Sequence, residues 1–374
     1  MSRGVPNITY LLGAGASANA LPVINELPSR LQEFRNLLFE RCDKGYESFI
    51  TSEKFKPDIQ VIARKIISEI DWVLVELMSH STIDTLAKRL YLISNRHDDL
   101  IRLKKVLYTY FLFEQGYNDT FIRGGIKKEI PDKRYDSFIA TYISPNVDEL
   151  KIPGNLKIIT WNYDIQFDIA FSKYLIEPVI DDVKKRVQIL PDLSIKDTLF
   201  DFEKFGVLHL NGIIKGVFDW EITNDLRGDF DTIEIIKTSY LSKLCITFHE
   251  LSHEILSYLT YSWEDPNQFQ VTIPEKNNLI SISRKIFNQT DILVVIGYSF
   301  PIFNRSVDRD LMRNLNSQIR RIYIQDTKEN VEEVTNVFFN AFGNDIQVDK
   351  GRLQNIISPV SYTNQFHIPP EMNL

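Results

Sequence analysis

Apolar and polar positions along the chain change period twice, and those changes divide it. Ile8 to Leu12 is a short continuous apolar run of buried-strand length, closed abruptly by Gly13-Ala14-Gly15-Ala16-Ser17. After Pro22 the period becomes helical, with Leu27, Leu31, Phe34, Leu37 and Leu38 on one face, and this first helix is expected to run to about Arg41. A helix starting near Ser17 would turn its free amides toward whatever sits above the glycines. From about Arg41 to about Ser144 the pattern predicts only helices, over Ile59 to Met78, Ile83 to Ile93, Leu100 to Phe113 and Tyr135 to Ile143. Pro145, Pro153 and Gly154 mark the next boundary.

Strand and helix then alternate. Leu156 to Thr160, Val207 to Leu210, Ile292 to Ile296 and Ile322 to Gln325 read as strands. Between them helices are predicted from near Asp164, over Ser239 to Trp263, Asn278 to Asn288, Asn304 to Asn316, and Lys328 to Phe342. This order implies an α/β chain with a doubly wound, Rossmann-like, mostly parallel sheet. Residues 1–35 and 151–374 are assigned to that domain and 36–150 to a helical insertion, with the last thirty or so residues carrying no clear pattern.

Composition narrows the function classes. The 374 residues carry a formal net charge of -7, so binding to free nucleic acid would need a local patch, and direct nucleic-acid contact is not expected. The basic runs Lys127-Lys128 with Lys133-Arg134, and Lys184-Lys185-Arg186, read as solvated faces. Cys42 and Cys245 cannot build a disulfide framework or a four-cysteine zinc site. A reducing cytoplasm is expected, and no stretch reaches the roughly twenty apolar residues that span a bilayer. Aromatic residues of the insertion, Trp72, Tyr108, Tyr110, Phe111 and Phe113, are read as core.

In an open parallel sheet ligands bind beyond the carboxyl ends of the strands. The predicted strands here end in Gly13-Ala14-Gly15-Ala16-Ser17, Thr160-Trp161-Asn162-Tyr163-Asp164, His209-Leu210-Asn211-Gly212, Gly297-Tyr298-Ser299 and Gln325-Asp326. A glycine turn allows close approach of a phosphate, an asparagine can orient a ribose or a water, and a histidine can take a proton near neutral pH. Each also has a plain structural reading: a tight turn, a helix cap, a core histidine.

Taken in order, these elements resemble the sirtuin family, and more closely its bacterial sirtuin-like branch used in antiphage defence. The resemblance covers residues 8–35 and about 155–330. It implies that Gly13, Ala14, Gly15 and Ser17 hold the pyrophosphate of NAD, that Asn162 lies beside the nicotinamide ribose, and that Asp164 meets the carboxamide. His209 would be the general base, and Gly297, Ser299 and Asp326 would line the adenosine half. Deacetylation is disfavoured, because Trp161 stands where deacetylases carry glutamine, Ala20 replaces a glycine, and the zinc module is missing.

The implied activity is hydrolysis of NAD to ADP-ribose and nicotinamide, with NAD as substrate and no metal. Such an activity would be toxic unless restrained, so self-assembly into a homo-oligomer or control by a separately encoded partner is expected. The resemblance suggests a HerA-like ATPase or an Argonaute-type protein. Alternatives are a non-catalytic module that senses NAD or ADP-ribose, and a zinc protease. The protease would use His249-Glu250-Leu251-Ser252-His253, whose histidines stand one helical turn apart. The same segment also reads as an amphipathic helix burying Leu244, Phe248, Leu251, Ile255 and Leu259.

Overall fold

The computed structural model describes residues 5–23, 25–40, 58–116, 131–143, 151–175, 183, 186–191, 200–214, 233–252, 256, 259–264 and 274–372. At its centre is strand β1 (Ile8–Leu12), buried along its whole length. Its neighbours are β2 (Leu156–Thr160) and β5 (Ile292–Ile296), with β4 (Gly206–His209) and β3 (Gln188–Leu190) beyond β2, and β6 (Arg321–Gln325) and β7 (Ile357–Val360) beyond β5. All pairs in this 7-stranded sheet are parallel, in the order β3-β4-β2-β1-β5-β6-β7. This is the doubly wound α/β architecture that the alternation of strands and helices predicts. Strands buried on both faces need apolar residues at successive positions, which is why these runs stood out in the sequence.

The chain winds outward from β1 through β2 to β3 and β4, then crosses back past β1 to β5. That reversal makes a topological switch point at β1, where open sheets leave a crevice. Register decides what faces it. Leu12 pairs with Thr160 and with Ile296, Thr160 with His209, and Ile296 with Gln325. The five strand ends therefore lie in one row.

Two helical layers cover the sheet. On one face Ile8, Tyr10 and Leu12 of β1 pack with α5 (Lys133–Tyr142), α6 (Gln166–Ser172) and the C-terminal residues Phe366 and Met372. On the other, Leu11 packs with α8 (Pro274–Gln289), α9 (Arg305–Arg313) and α10 (Val331–Phe342). The alternation along β1 is the two-residue period of a strand.

A third core is all helical. It joins α1 (Leu27–Leu38), α2 (Ile59–Leu77), α3 (Ile83–Leu92) and α4 (His97–Gly116) to Leu241, Leu244, Cys245 and Phe248 of α7 (Ile233–Glu250), and to Leu251, Leu256, Leu259 and Tyr261. This layer draws on two stretches of chain, one before β2 and one after β4. Tyr108, Tyr110 and Phe113 are buried in it, and Trp72 and Phe111 pack on it. Helix α5, by contrast, lies against the sheet, because Tyr135, Phe138, Ile139 and Tyr142 present one continuous apolar face to β1 and β2.

The structure corrects two boundaries and adds two strands and a short helix. No α-helix starts at Ser17: a single 3-10 turn spans Ala14–Ser17, and α1 begins only at Leu27, with a proline in its first turn. The helix expected over Ser239 to Trp263 ends at Glu250. Strands β3 and β7 were not foreseen, since β3 has 3 residues and β7 carries Pro359. Both are edge strands, and a proline is tolerated at an edge. Residues 350–356 add a short helix, α11, ahead of β7.

Candidate functional site

The row of strand ends carries the turn Ala14–Ser17 after β1. Gly13 N–H donates to Ile296 O at 3.0 Å, Gly15 N–H to Gly297 O at 3.0 Å, and Ala16 N–H to Gly13 O at 2.9 Å. These amides are thus spent inside the protein, and the exposed residue at the crest of the turn is Ala14. The glycines have a packing reason as well. A Cβ on Gly13 would lie 2.6 Å from Gly297 O, and one on Gly297, which sits at φ +57, would lie 2.5 Å from Ala16 N. Two strand-end turns, after β1 and β5, touch backbone to backbone at the switch point.

Asn162 follows β2 and ties its end to this turn. Its Nδ2 donates to Gly13 O at 2.9 Å and to Ser17 Oγ at 3.3 Å, while its own N–H is held by Thr160 Oγ1 at 3.0 Å. The side chain is half-buried. His209 closes β4 and places Nδ1 2.9 Å from the carbonyl oxygen of Asn162. A carbonyl only accepts, so Nδ1 carries the proton in the neutral ring, and Nε2 is the basic nitrogen. The ring is 2% exposed.

Asp164 lies deeper. Burial pushes its carboxyl up to about 6, against the opposing pull of Ser17 and the Gln166 amide, with Asp168 and Asp132 adding to the rise. Ser17 Oγ also shares a hydrogen bond with Tyr135 Oη at 3.1 Å. Beyond β5, Ser299 is exposed between two buried rings, Tyr298 and Phe300. Phe300 adopts φ 54, a costly conformation for a residue with a side chain. Its ring packs on Tyr298, Phe338 and Phe342, and that packing holds the backbone in place. Asp326, at the end of β6, is half-buried and accepts from Thr327 N–H at 2.7 Å.

Register therefore brings Gly13, Ala14, Gly15, Ser17, Asn162, Asp164, His209, Gly297, Ser299 and Asp326 to one rim of the sheet. Hydrogen bonds link the turn, Asn162 and His209 into one unit. Ser299 and Asp326 stand further along the rim, at the ends of β5 and β6.

Sequence reasoning missed the support beneath the turn. Arg134, read as part of a solvated basic run, is 6% exposed. Its Nη2 donates to Gly15 O at 3.0 Å and Ala16 O at 3.1 Å, and pairs with Asp132 at 2.6 Å. The available signal was Asp132 two residues before Arg134, at the start of an amphipathic helix. Lys127, Lys128, Lys184 and Lys185 lie outside the described residues, and Arg186 is exposed.

Over the rim runs a short strap, residues 259–264. Thr260 N–H donates to Asn211 O at 2.8 Å, Tyr163 Oη reaches Thr260 O at 3.4 Å, and Ser262 Oγ donates to Phe303 O at 2.8 Å. Glu264 pairs with Lys104 of α4 at 2.8 Å, both buried. The strap thus joins the strand ends to the helical layer.

His249 is exposed on the last turn of α7, which ends at Glu250, and Leu251 and Ser252 are not helical. His253 and Ile255 lie outside the described residues, whereas Leu244 and Phe248 are buried on α7 and Leu251 and Leu259 are buried beyond its end. Among the described residues no three of His, Cys, Asp and Glu converge as a metal group, and no helix is long and apolar enough to cross a membrane.

Fold and rim together define an open parallel α/β protein of Rossmann-like architecture with its polar groups gathered at the switch point. Compared with known proteins, the chain matches no family model and no curated relative.

Proposed function

We propose that this protein hydrolyses NAD at the bond between nicotinamide and ribose. The supporting observation is the hydrogen-bonded unit in which Asn162 reaches the β1 turn through its amide and His209 through its carbonyl. Cleavage of that bond builds positive charge on the ribose, and a fixed neutral amide can orient the ribose or a water without titrating. Water then adds to the ribose carbon as nicotinamide leaves with the bonding electron pair. The proton released from water goes to Nε2 of His209, whose tautomer is set by Asn162 O. The products are ADP-ribose, nicotinamide and one proton. In this reading Gly13, Ala14, Gly15 and Ser17 take the pyrophosphate, Asp164 the carboxamide, and Gly297, Ser299 and Asp326 the adenosine half.

Since His209 is 2% exposed, the substrate must displace part of the rim to reach it. Restraint of this kind suits an enzyme whose unchecked activity would drain its own cell. The proposal extends to an effector in antiphage defence, switched on by self-assembly or by a partner such as a HerA-like ATPase or an Argonaute-type protein. The same burial of His209 favours one second reading, a module that binds NAD or ADP-ribose without cleaving it.

Nicotinamide release by purified protein, with and without Asn162→Ala and His209→Ala, is the test. The hydrolase reading expects each substitution to lower release by about a hundredfold or more, with melting temperature checked alongside. Binding of NAD without release, unchanged by His209→Ala, would favour the sensing module. Neither binding nor release would remove both.

A further inference from the structure

The first turn of α5 acts on the rim from below. Asp132 caps the helix, accepting from Arg134 N–H at 3.0 Å, and is itself 0% exposed. Its carboxylate grips Arg134 through Nε at 3.0 and 3.1 Å and Nη2 at 2.6 Å, and takes Asn19 N–H at 3.3 Å. The Asp132 amide is tied in turn to Gln166 Oε1 at 2.8 Å, which anchors the turn of α5 to α6. Phe366 of the C-terminal segment lies under the guanidinium, 5.6 Å from its centre. Held on these sides, Arg134 directs Nη2 at two consecutive carbonyls of the β1 turn, Gly15 and Ala16.

A buried ion pair of this sort contributes little net stability over an apolar replacement, because desolvation offsets attraction. What it does provide is geometry: the planar guanidinium is locked on Asp132 through Nε and Nη2, and that fixed orientation aims Nη2 at both carbonyls, which a lysine ammonium on a flexible stem cannot reproduce. Those peptides belong to the turn whose two ends, Gly13 O and Ser17 Oγ, receive the side chain of Asn162. The next residue of α5, Tyr135, reaches Ser17 Oγ as well. We infer that Arg134, oriented by Asp132 and Phe366, is a positioning residue that holds the β1 turn and Asn162 in the arrangement used to bind the pyrophosphate-containing ligand. This rests on the reading of the rim as an NAD site.

The test compares full-length wild type, Arg134→Lys and Phe366→Leu by two measurements. One is amide hydrogen exchange over residues 13–18 against β5 as internal reference; the other is affinity for ADP-ribose by calorimetry. Arg134→Lys keeps the charge beside Asp132 and loses the fork, so exchange in the turn should rise about tenfold with β5 unchanged, and ADP-ribose should bind about tenfold more weakly. Phe366→Leu should move both in the same direction by a smaller factor, and it serves as the readout if the lysine variant does not fold. Unchanged exchange at 13–18 overturns the clamp. Faster exchange with unaltered ADP-ribose affinity overturns its role toward the ligand. Wild-type protein that neither binds ADP-ribose nor cleaves NAD sinks the functional reading instead, and the exchange data then judge the clamp separately.

Discussion

Gly297 shows how little room the switch point leaves. At φ +57 it occupies a region L side chains avoid, and a Cβ there would meet Ala16 N and Gly15 C at 2.5 Å, backbone atoms that cannot step aside. Gly297→Ala is expected to destabilise the protein by at least about 2 kcal/mol, read as a lower urea midpoint with unchanged slope. An unchanged midpoint would mean that the two turns are not in contact. A few residues on, Asp308 is 0% exposed and accepts a hydrogen bond from Tyr298 Oη at 2.8 Å. Burial pushes its carboxyl from the ordinary 3.8 up to about 8. The raised value means that the folded protein holds the proton more tightly than the unfolded chain. The stability this confers is complete below about pH 4 and is lost as pH rises through about 8. Asp308→Asn removes the charge yet keeps an acceptor for Tyr298, so its melting temperature relative to wild type should climb between about pH 4 and pH 8. A difference that stays flat across that window would place Asp308 outside its buried setting.

At the scale of elements, the strap at 259–264 couples several parts of the molecule, since it bonds to loops after β2, β4 and β5 and pairs with α4. Lys104 and Glu264 are each 5% exposed in their side chains, and stripping one partner would leave the other charged and buried. Lys104→Met should therefore cost about 3–5 kcal/mol, and adding Glu264→Gln should recover part of that loss. Denaturant titration of the single and double variants decides it, and additive losses would show that the pair does not interact. At the same scale, the helical spacing of Leu27, Leu31, Phe34, Leu37 and Leu38 foretold α1 and its buried face. Spacing could not tell that the preceding residues make a 3-10 turn, because short-range pattern does not register which neighbour satisfies each amide.

For the molecule as a whole, the C-terminal segment after β7 closes one face of the sheet. Phe366 and Met372 are buried with Tyr10 and Tyr323, Gln325 donates to Tyr362 O at 2.6 Å and Gln365 O at 2.7 Å, and Tyr10 Oη donates to His367 O at 2.8 Å. Truncation after Val360 should lower stability by about 3–6 kcal/mol, the transfer value of two large apolar side chains, and should loosen the β1 turn because Phe366 leaves Arg134. Thermal melting and exchange at residues 13–18 would check both parts, and a truncated protein as stable as the full chain would show the segment to be dispensable.

By itself the sequence determined the strands buried on both faces, the polar endings that follow them, and so the doubly wound class and the rim where Asn162 and His209 meet the glycine turn. Those features are local: a strand between two layers must be apolar throughout, and the end of a parallel strand must break into a turn. The tertiary structure decided the rest. Whether Arg134 is a solvated charge or a buried clamp depends on Asp132, Phe366 and two carbonyls more than a hundred positions away in the chain. Whether Gly297 serves a ligand or its neighbour depends on Gly13 and Gly15, brought against it only by sheet order. Pattern along a chain reports how each segment meets water; partners distant in sequence are selected only when the layers pack.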